Sequence, residues 1–140
     1  WMSMIGPCSH SPFEAAIDRA KALVDAGADA VFPEAMADLS EFEAVRNAVD
    51  VPILANMTEF GKSELFTTTQ LANIGINIVI YPVSLLRLAM GAAERGLDAL
   101  AAEGSLNSSV QHMQTRARLY ELLDYEAYNA FDTSVFNFTL

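Results

Sequence analysis

The sequence predicts an α/β fold of consecutive strand–helix units around a parallel sheet. Three observations carry this. Short apolar runs, Ala30-Val31-Phe32, Ile53-Leu54-Ala55 and Asn77 to Tyr81, recur at intervals of roughly 22 to 26 residues with helical patterns between them. Each run stops abruptly at polar or turn-forming residues. The intervening helices carry recognisable start and stop signals. On spacing alone, an open sheet and a closed barrel fit equally well.

Ser11-Pro12-Phe13-Glu14 opens the first helix, with Ser11 as N-cap, Pro12 in the first turn and Glu14 closing a capping box. Ile17, Ala20, Leu23 and Val24 form its apolar stripe, and Gly27 supplies the C-cap. Asp38-Leu39-Ser40-Glu41 starts a second helix, whose Leu39, Phe42, Val45, Ala48 and Val49 share one side. Thr67-Thr68-Thr69-Gln70 begins a short helix ending near Gly75. A long helix follows from about Leu85 to Glu103. From Ser105 onward the spacing of Val110, Met113, Leu119, Leu122 and Leu123 is helical, and Asp124 caps a last segment, Tyr125 to Phe131. The expected organisation is one partial domain: 1–12 irregular, 13–104 strand–helix units, 105–140 C-terminal helices.

At 140 residues and 52% hydrophobic, the chain suits a single ordinary domain and not a disordered one. Its longest apolar stretch, Ile74 to Leu86, is broken by Gly75, Asn77, Pro82 and Ser84, well short of the roughly 20 residues a bilayer requires. No membrane partner is expected. Cys8 is the only cysteine and the N-terminus lacks a secretory pattern, so a reducing cytoplasm is the expected location. The net charge of −10, with no basic run, excludes nucleic acid as an expected partner. A chain so acidic repels anions at long range, so an acidic ligand has to be met by particular arginines at short range.

The strand ends carry the candidate chemistry: Glu34 in the first, Asn56, Thr58 and Glu59 in the second, Tyr81-Pro82 with Ser84 and Arg87 in the third. Parallel strands share a direction, so all emerge on one sheet edge, where such folds bind ligands. Any one of them serves equally well as a turn or cap residue; three in succession point to a site. Arg87 sits in the first turn of the long helix, where a cation opposes the helix dipole unless an anion stands before it. Arg116 reads equally as a solvated helix arginine, and Arg118 as a surface one. Cys8-Ser9-His10 lies in an irregular stretch and is not taken as a nucleophile. His112 stands alone, no Cys/His cluster has zinc spacing, no Asp-x-Asp pair suggests magnesium, and glycine-rich phosphate loops are absent.

Taken in order, Ala26-Gly27-Ala28-Asp29-Ala30-Val31-Phe32-Pro33-Glu34-Ala35, Val51-Pro52-Ile53-Leu54-Ala55-Asn56-Met57-Thr58-Glu59-Phe60-Gly61, Leu65-Phe66-Thr67-Thr68, Tyr81-Pro82-Val83-Ser84 and Met113-Gln114-Thr115-Arg116 resemble the 2-methylisocitrate lyase family, within the isocitrate lyase and phosphoenolpyruvate mutase superfamily. The likeness runs from about Phe13 to Tyr128. It implies a (β/α)8 TIM barrel of which this chain supplies the last three strands. C-terminal helices follow, which neighbouring subunits of the superfamily exchange, so a homo-oligomer is expected. Because such a barrel typically takes about 250 residues, this reading requires that more than half of the fold lies outside the chain.

The resemblance further implies a Mg2+-dependent cleavage of 2-methylisocitrate to pyruvate and succinate. By motif, Glu34 lies near metal and substrate, Asn56 and Thr58 hydrogen-bond a substrate carboxylate, and Arg87 and Arg116 bind carboxylates. The family's magnesium-organising aspartates and its Lys-Lys-Cys-Gly-His loop with the acid cysteine are not found. No catalytic residue and no metal ligand are therefore assigned, and the Mg2+ ligands are expected outside this chain. Trp1 to His10 stands where the family has an Ala-Arg-Thr-Asp strand, and Asp132 to Leu140 departs from the family's basic tail, as in a truncated or frame-shifted reading. The expectation is the substrate-carboxylate half of a site, inactive alone, with a small di- or tricarboxylic acid as partner. Two alternatives stay open: a related enzyme acting on isocitrate, oxaloacetate or a phosphonopyruvate, and a non-catalytic remnant that associates with a complete subunit.

Overall fold

The computed structural model describes Met2–Ile5 and residues 13–136. Cys8, His10 and the Ser11-Pro12 helix start lie outside the described residues. The chain divides into two compact units, residues 1–89 and 90–140. The first contains β1 (Met2–Ile5), α1 (Phe13–Asp25), β2 (Ala30–Pro33), α2 (Leu39–Ala48), β3 (Leu54–Asn56), α3 (Thr68–Asn73), β4 (Ile78–Ile80) and the start of α4 (Ser84–Glu103).

All strand pairings are parallel. Met2 to Ile5 run beside Ala30 to Pro33, and Leu54 to Asn56 beside Ile78 to Ile80. A parallel bridge between Val31 and Ile53, with the Val31 N–H donated to the Pro52 carbonyl at 2.9 Å, joins the two pairs. The strands therefore stand in chain order, with no reversal. The three strands expected from the sequence are corrected to four. Met2–Ile5 is too short to display a period of two, and only its pairing with β2 makes it a strand.

Burial alternates along β2, while in β3 Leu54 and Ala55 are both buried. Val31 and Pro33 of β2, Ile53 and Ala55 around β3, and Met57 beyond it are buried, and the core joins them to Ala20 of α1, Phe42 and Val45 of α2 and Leu71 of α3. Phe42 meets Phe66 edge to face, with ring centroids 6.4 Å apart. The alternate positions, including Leu54, Asn56, Ile78 and Ile80, form the other face, on which Ile78 remains 43% exposed.

The helix punctuation follows its chemistry. The Gly27 N–H bonds to the Val24 carbonyl and that of Ala28 to Leu23, a Schellman ending in which Gly27 takes φ +99°. Asp38 caps α2 by accepting from the Glu41 N–H at 3.0 Å. Thr67 and Gln70 form a reciprocal capping box at α3. Below the sheet, Arg46 near the end of α2 donates to the carbonyls of Val49 and Val51 and to Asn77 Oδ1, which also accepts the Ile53 N–H at 2.9 Å. That clamp ties α2, β3 and the approach to β4 at the edge opposite the candidate residues.

The second unit comprises the rest of α4, a short 3-10 helix (Asn107–His112), α5 (Arg116–Leu122) and α6 (Tyr125–Val135). The helical spacing read across Val110 to Leu123 is interrupted at Met113-Gln114-Thr115, where Thr115 caps α5 by accepting from the Arg118 N–H. Asp124 precedes α6 in a left-handed conformation without a side-chain cap. None of residues 90–136 is buried. Among the described residues, no helix is long and apolar enough to cross a membrane.

Candidate functional site

The strand ends of the first unit hold the candidate residues. Glu34 follows β2 and Asn56 ends β3; continuing the Val31–Ile53 register by three residues puts them side by side, at positions alternate to the buried Val31 and Ile53. Two side-chain atoms at this edge are buried without a hydrogen-bond partner among the described residues: Asn56 Oδ1 and, at the first residue of α4, Ser84 Oγ. Buried polar atoms nearly always find a partner. Asn56 Oδ1 is the polar atom at this edge with acceptor capacity to offer a ligand.

Arg87, one turn into α4, reaches back over the loop after β3. Its Nη1 donates to Thr58 Oγ1 at 3.3 Å, to the Glu59 carbonyl at 3.0 Å and to Glu59 Oε2 at 3.1 Å. Its guanidinium carbon lies 5.5 Å from the centre of the Phe60 ring. The cation that sequence reasoning found unfavourably placed at a helix start thus has an internal counter-ion. Ser84 first, then Glu59's own backbone N–H, and after them the Arg87 pair hold the Glu59 carboxyl below its ordinary value of 4.5. Arg87 is the partner of Glu59 with a defined geometry.

The backbone is strained at the same edge. One non-glycine residue after each of β2, β3 and β4 adopts the left-handed region: Ala35 at φ +59°, Phe60 at +62° and Val83 at +56°. A β-branched residue such as Val83 rarely does so, and strain of this kind gathers at binding and catalytic loops. A side chain at Gly61 would approach Thr58 Cγ2 to 3.0 Å, so the loop folds closely onto Thr58.

The structure therefore brings Thr58 and Arg87 into contact and sets Asn56 and Glu34 on adjacent strand ends. Arg116 is an exposed residue opening α5 in the second unit, and Arg118 pairs with Glu121 at 2.7 Å on that unit's surface. His112 lines an apolar groove of about 820 Å3 with Leu97, Leu100, Leu106 and Met113, all within the second unit. Glu59 and Ser84 were already legible as strand-end residues, though the family motif assigned them no role. Nothing in the sequence pointed to Phe60. Among the described residues no three His, Cys, Asp or Glu side chains come together to hold a metal. Glu34, with Glu59 already paired, does not amount to a Mg2+ cage.

The phosphoenolpyruvate phosphomutase family model matches residues 4–101. A Corynebacterium glutamicum protein named probable 2-methylisocitrate lyase 2 is 55% identical over 126 residues, 90% of this chain and 41% of that protein. The 2-methylisocitrate lyase of Halalkalibacterium halodurans is 46% identical over 120 residues, 86% of this chain and 40% of its own. The chain thus spans about two-fifths of the length of the curated relatives it matches. The crystal structure of 2,3-dimethylmalate lyase, a member of the PEP mutase/isocitrate lyase superfamily, aligns over 99% of this chain and 48% of its own at 21% identity, with a TM-score of 0.80. The α/β architecture is that of this superfamily, and the chain belongs to the phosphoenolpyruvate mutase and isocitrate lyase family.

Proposed function

We propose that this chain forms the carboxylate-binding wall of a carbon–carbon lyase that cleaves 2-methylisocitrate to pyruvate and succinate. The observation that carries the reading is the edge itself: orphaned Asn56 Oδ1 and Ser84 Oγ beside Arg87, at the C-terminal ends of parallel strands in unbroken chain order. Sequential order without a switch point fits a (β/α)8 barrel. On this reading the four strands are the last part of a barrel completed by polypeptide outside the sequence. The names of the relatives support the reaction.

In such a cleavage the substrate hydroxyl loses its proton, the carbon–carbon bond breaks, and negative charge builds on the departing succinate until an acid protonates it. Arg87, Asn56 and Thr58 fix the succinate carboxylate. Their interactions strengthen as charge accumulates, which makes their largest contribution one to the transition state. The proton donor is none of these three. The purified chain is expected to bind succinate, shifting the amides of Asn56 to Phe60, and to leave 2-methylisocitrate intact in the presence of Mg2+. Absence of succinate-dependent shifts overturns the carboxylate wall, and turnover overturns its division from the rest of the site.

The second unit supports an oligomer. It exposes Leu97, Leu122, Leu123, Tyr128 and Phe131 to an extent unusual for a free surface. Packing of these helices on a second copy predicts a sedimentation coefficient that rises with protein concentration; a monomer at all concentrations counts against it.

A further inference from the structure

The contacts of Arg87 are one-sided. Among the described residues, its hydrogen bonds to Thr58 Oγ1, the Glu59 carbonyl and Glu59 Oε2 all leave from Nη1. A guanidinium has five N–H groups, and its strongest union with a carboxylate is the two-pronged one, in which both oxygens each accept from a different nitrogen. Glu59 does not bind that way. It offers one side-chain oxygen and its own carbonyl to a single nitrogen, and the Nε–Nη2 fork stays open on a side chain that is still 41% exposed.

The backbone explains why. Phe60 sits in the left-handed region at φ +62°, its ring is 95% exposed, and that ring lies 5.5 Å from the guanidinium carbon. An almost bare phenylalanine on a strained residue is costly unless it has a task. Here the turn it makes aims the Glu59 carbonyl and side chain at the same nitrogen, while the ring flanks the guanidinium. Thr58, held against Gly61, completes the set.

We infer that the Glu59–Phe60 turn is a positioning device: it saturates Nη1 of Arg87 and so presents the Nε–Nη2 fork to one carboxylate of a small dicarboxylic acid. Glu59 is a positioning residue, not a catalytic one. The inference rests on the carboxylate-wall reading, but its first half concerns Arg87 without a ligand and stands or falls separately. A plain counter-ion predicts the opposite sign: removing its charge leaves Arg87 more attractive to anions and tightens their binding.

The test uses the full chain labelled with 15N in its arginines, and succinate as probe. In the wild type without succinate, the Arg87 guanidinium shows restricted rotation, with separately resolved Nη signals. In E59Q these merge and succinate binding weakens roughly tenfold, the order expected when one long side chain loses its restraint. E59D recovers part of both, and T58V, which removes one acceptor, gives a smaller change in the same direction. Glu59 is half-buried at the rim of the fold, and an unchanged amide spectrum over Phe42, Ile53 and Leu71 shows that the variants remain folded. Free rotation of Arg87 in the wild type, or equal or tighter succinate binding by E59Q, overturns the inference. Restricted rotation without any succinate binding upholds the positioning of Arg87 and sinks the carboxylate wall instead.

Discussion

The two units of the chain carry similar helices and end up in different conditions. In residues 1–89, helices lie on a sheet, and Phe42, Val45, Ile53 and Leu71 are withdrawn from water. In residues 90–136 the helices are as apolar in sequence, yet no residue is buried, and Leu97 and Phe131 stay 66% and 65% exposed. A helix laid on a sheet covers its apolar stripe with a surface supplied by strands a few residues away. Helices connected in series without a sheet have no such surface in the same stretch of chain. Local helix signals are therefore as strong in both units, and only the first gains the burial that holds a fold together.

This contrast can be broken or sharpened by substitution. The largest effect is expected from Phe42→Ala in the first unit, a loss of about 3 to 5 kcal/mol in urea unfolding monitored at β3 amides. Next is Asn77→Ala, which strips the Ile53 N–H of its acceptor and removes one partner of Arg46; the cost is about 1 to 3 kcal/mol. Gly75→Ala is expected to cost about 1 to 2 kcal/mol, since the residue has φ +81° and the added Cβ meets Arg46 Cδ at 2.9 Å. Smaller again is Leu97→Ala in the second unit, within about 0.5 kcal/mol in dilute protein. If the loss grows with protein concentration, the bare helices are covered by another copy and the contrast between units belongs to the single chain alone.

The smallest effect is electrostatic. Glu59 titrates lower in the folded chain than its ordinary 4.5, so its contribution to stability is present above that pH and fades as the pH falls through the folded value. The exposed pair with Arg87 makes this a shallow slope. Comparing wild type and E59Q across the acid limb of a thermal unfolding series checks it, the variant lacking the slope.

Much of this was legible before any coordinates. Asp38 with Glu41, Thr67 with Gln70, and Gly27 act locally, within one turn of chain, and so announced the helix ends where they occur. The strand ends were readable because an apolar run that stops in Asn56 or Glu34 has few other uses. Met2–Ile5 was not, since four residues show no period until a neighbour pairs with them. The break at Met113 to Thr115 escaped because apolar spacing continued across it while the backbone did not. Of the candidate site, the residue types were legible and the pairing was not: Arg87 and Glu59 are 28 positions apart.

The sequence by itself determined the alternation of strands and helices, the polar edge on which Glu34, Asn56, Thr58 and Arg87 emerge, and the family to which those motifs belong. These depend on interactions within a few residues or on motifs read in order. Only the tertiary structure decided that the strands stand in unbroken parallel order, that Asn56 Oδ1 and Ser84 Oγ are buried without partners, and that Glu59 occupies one side of Arg87. Each of those requires two distant segments to meet, and no local propensity records which segments do.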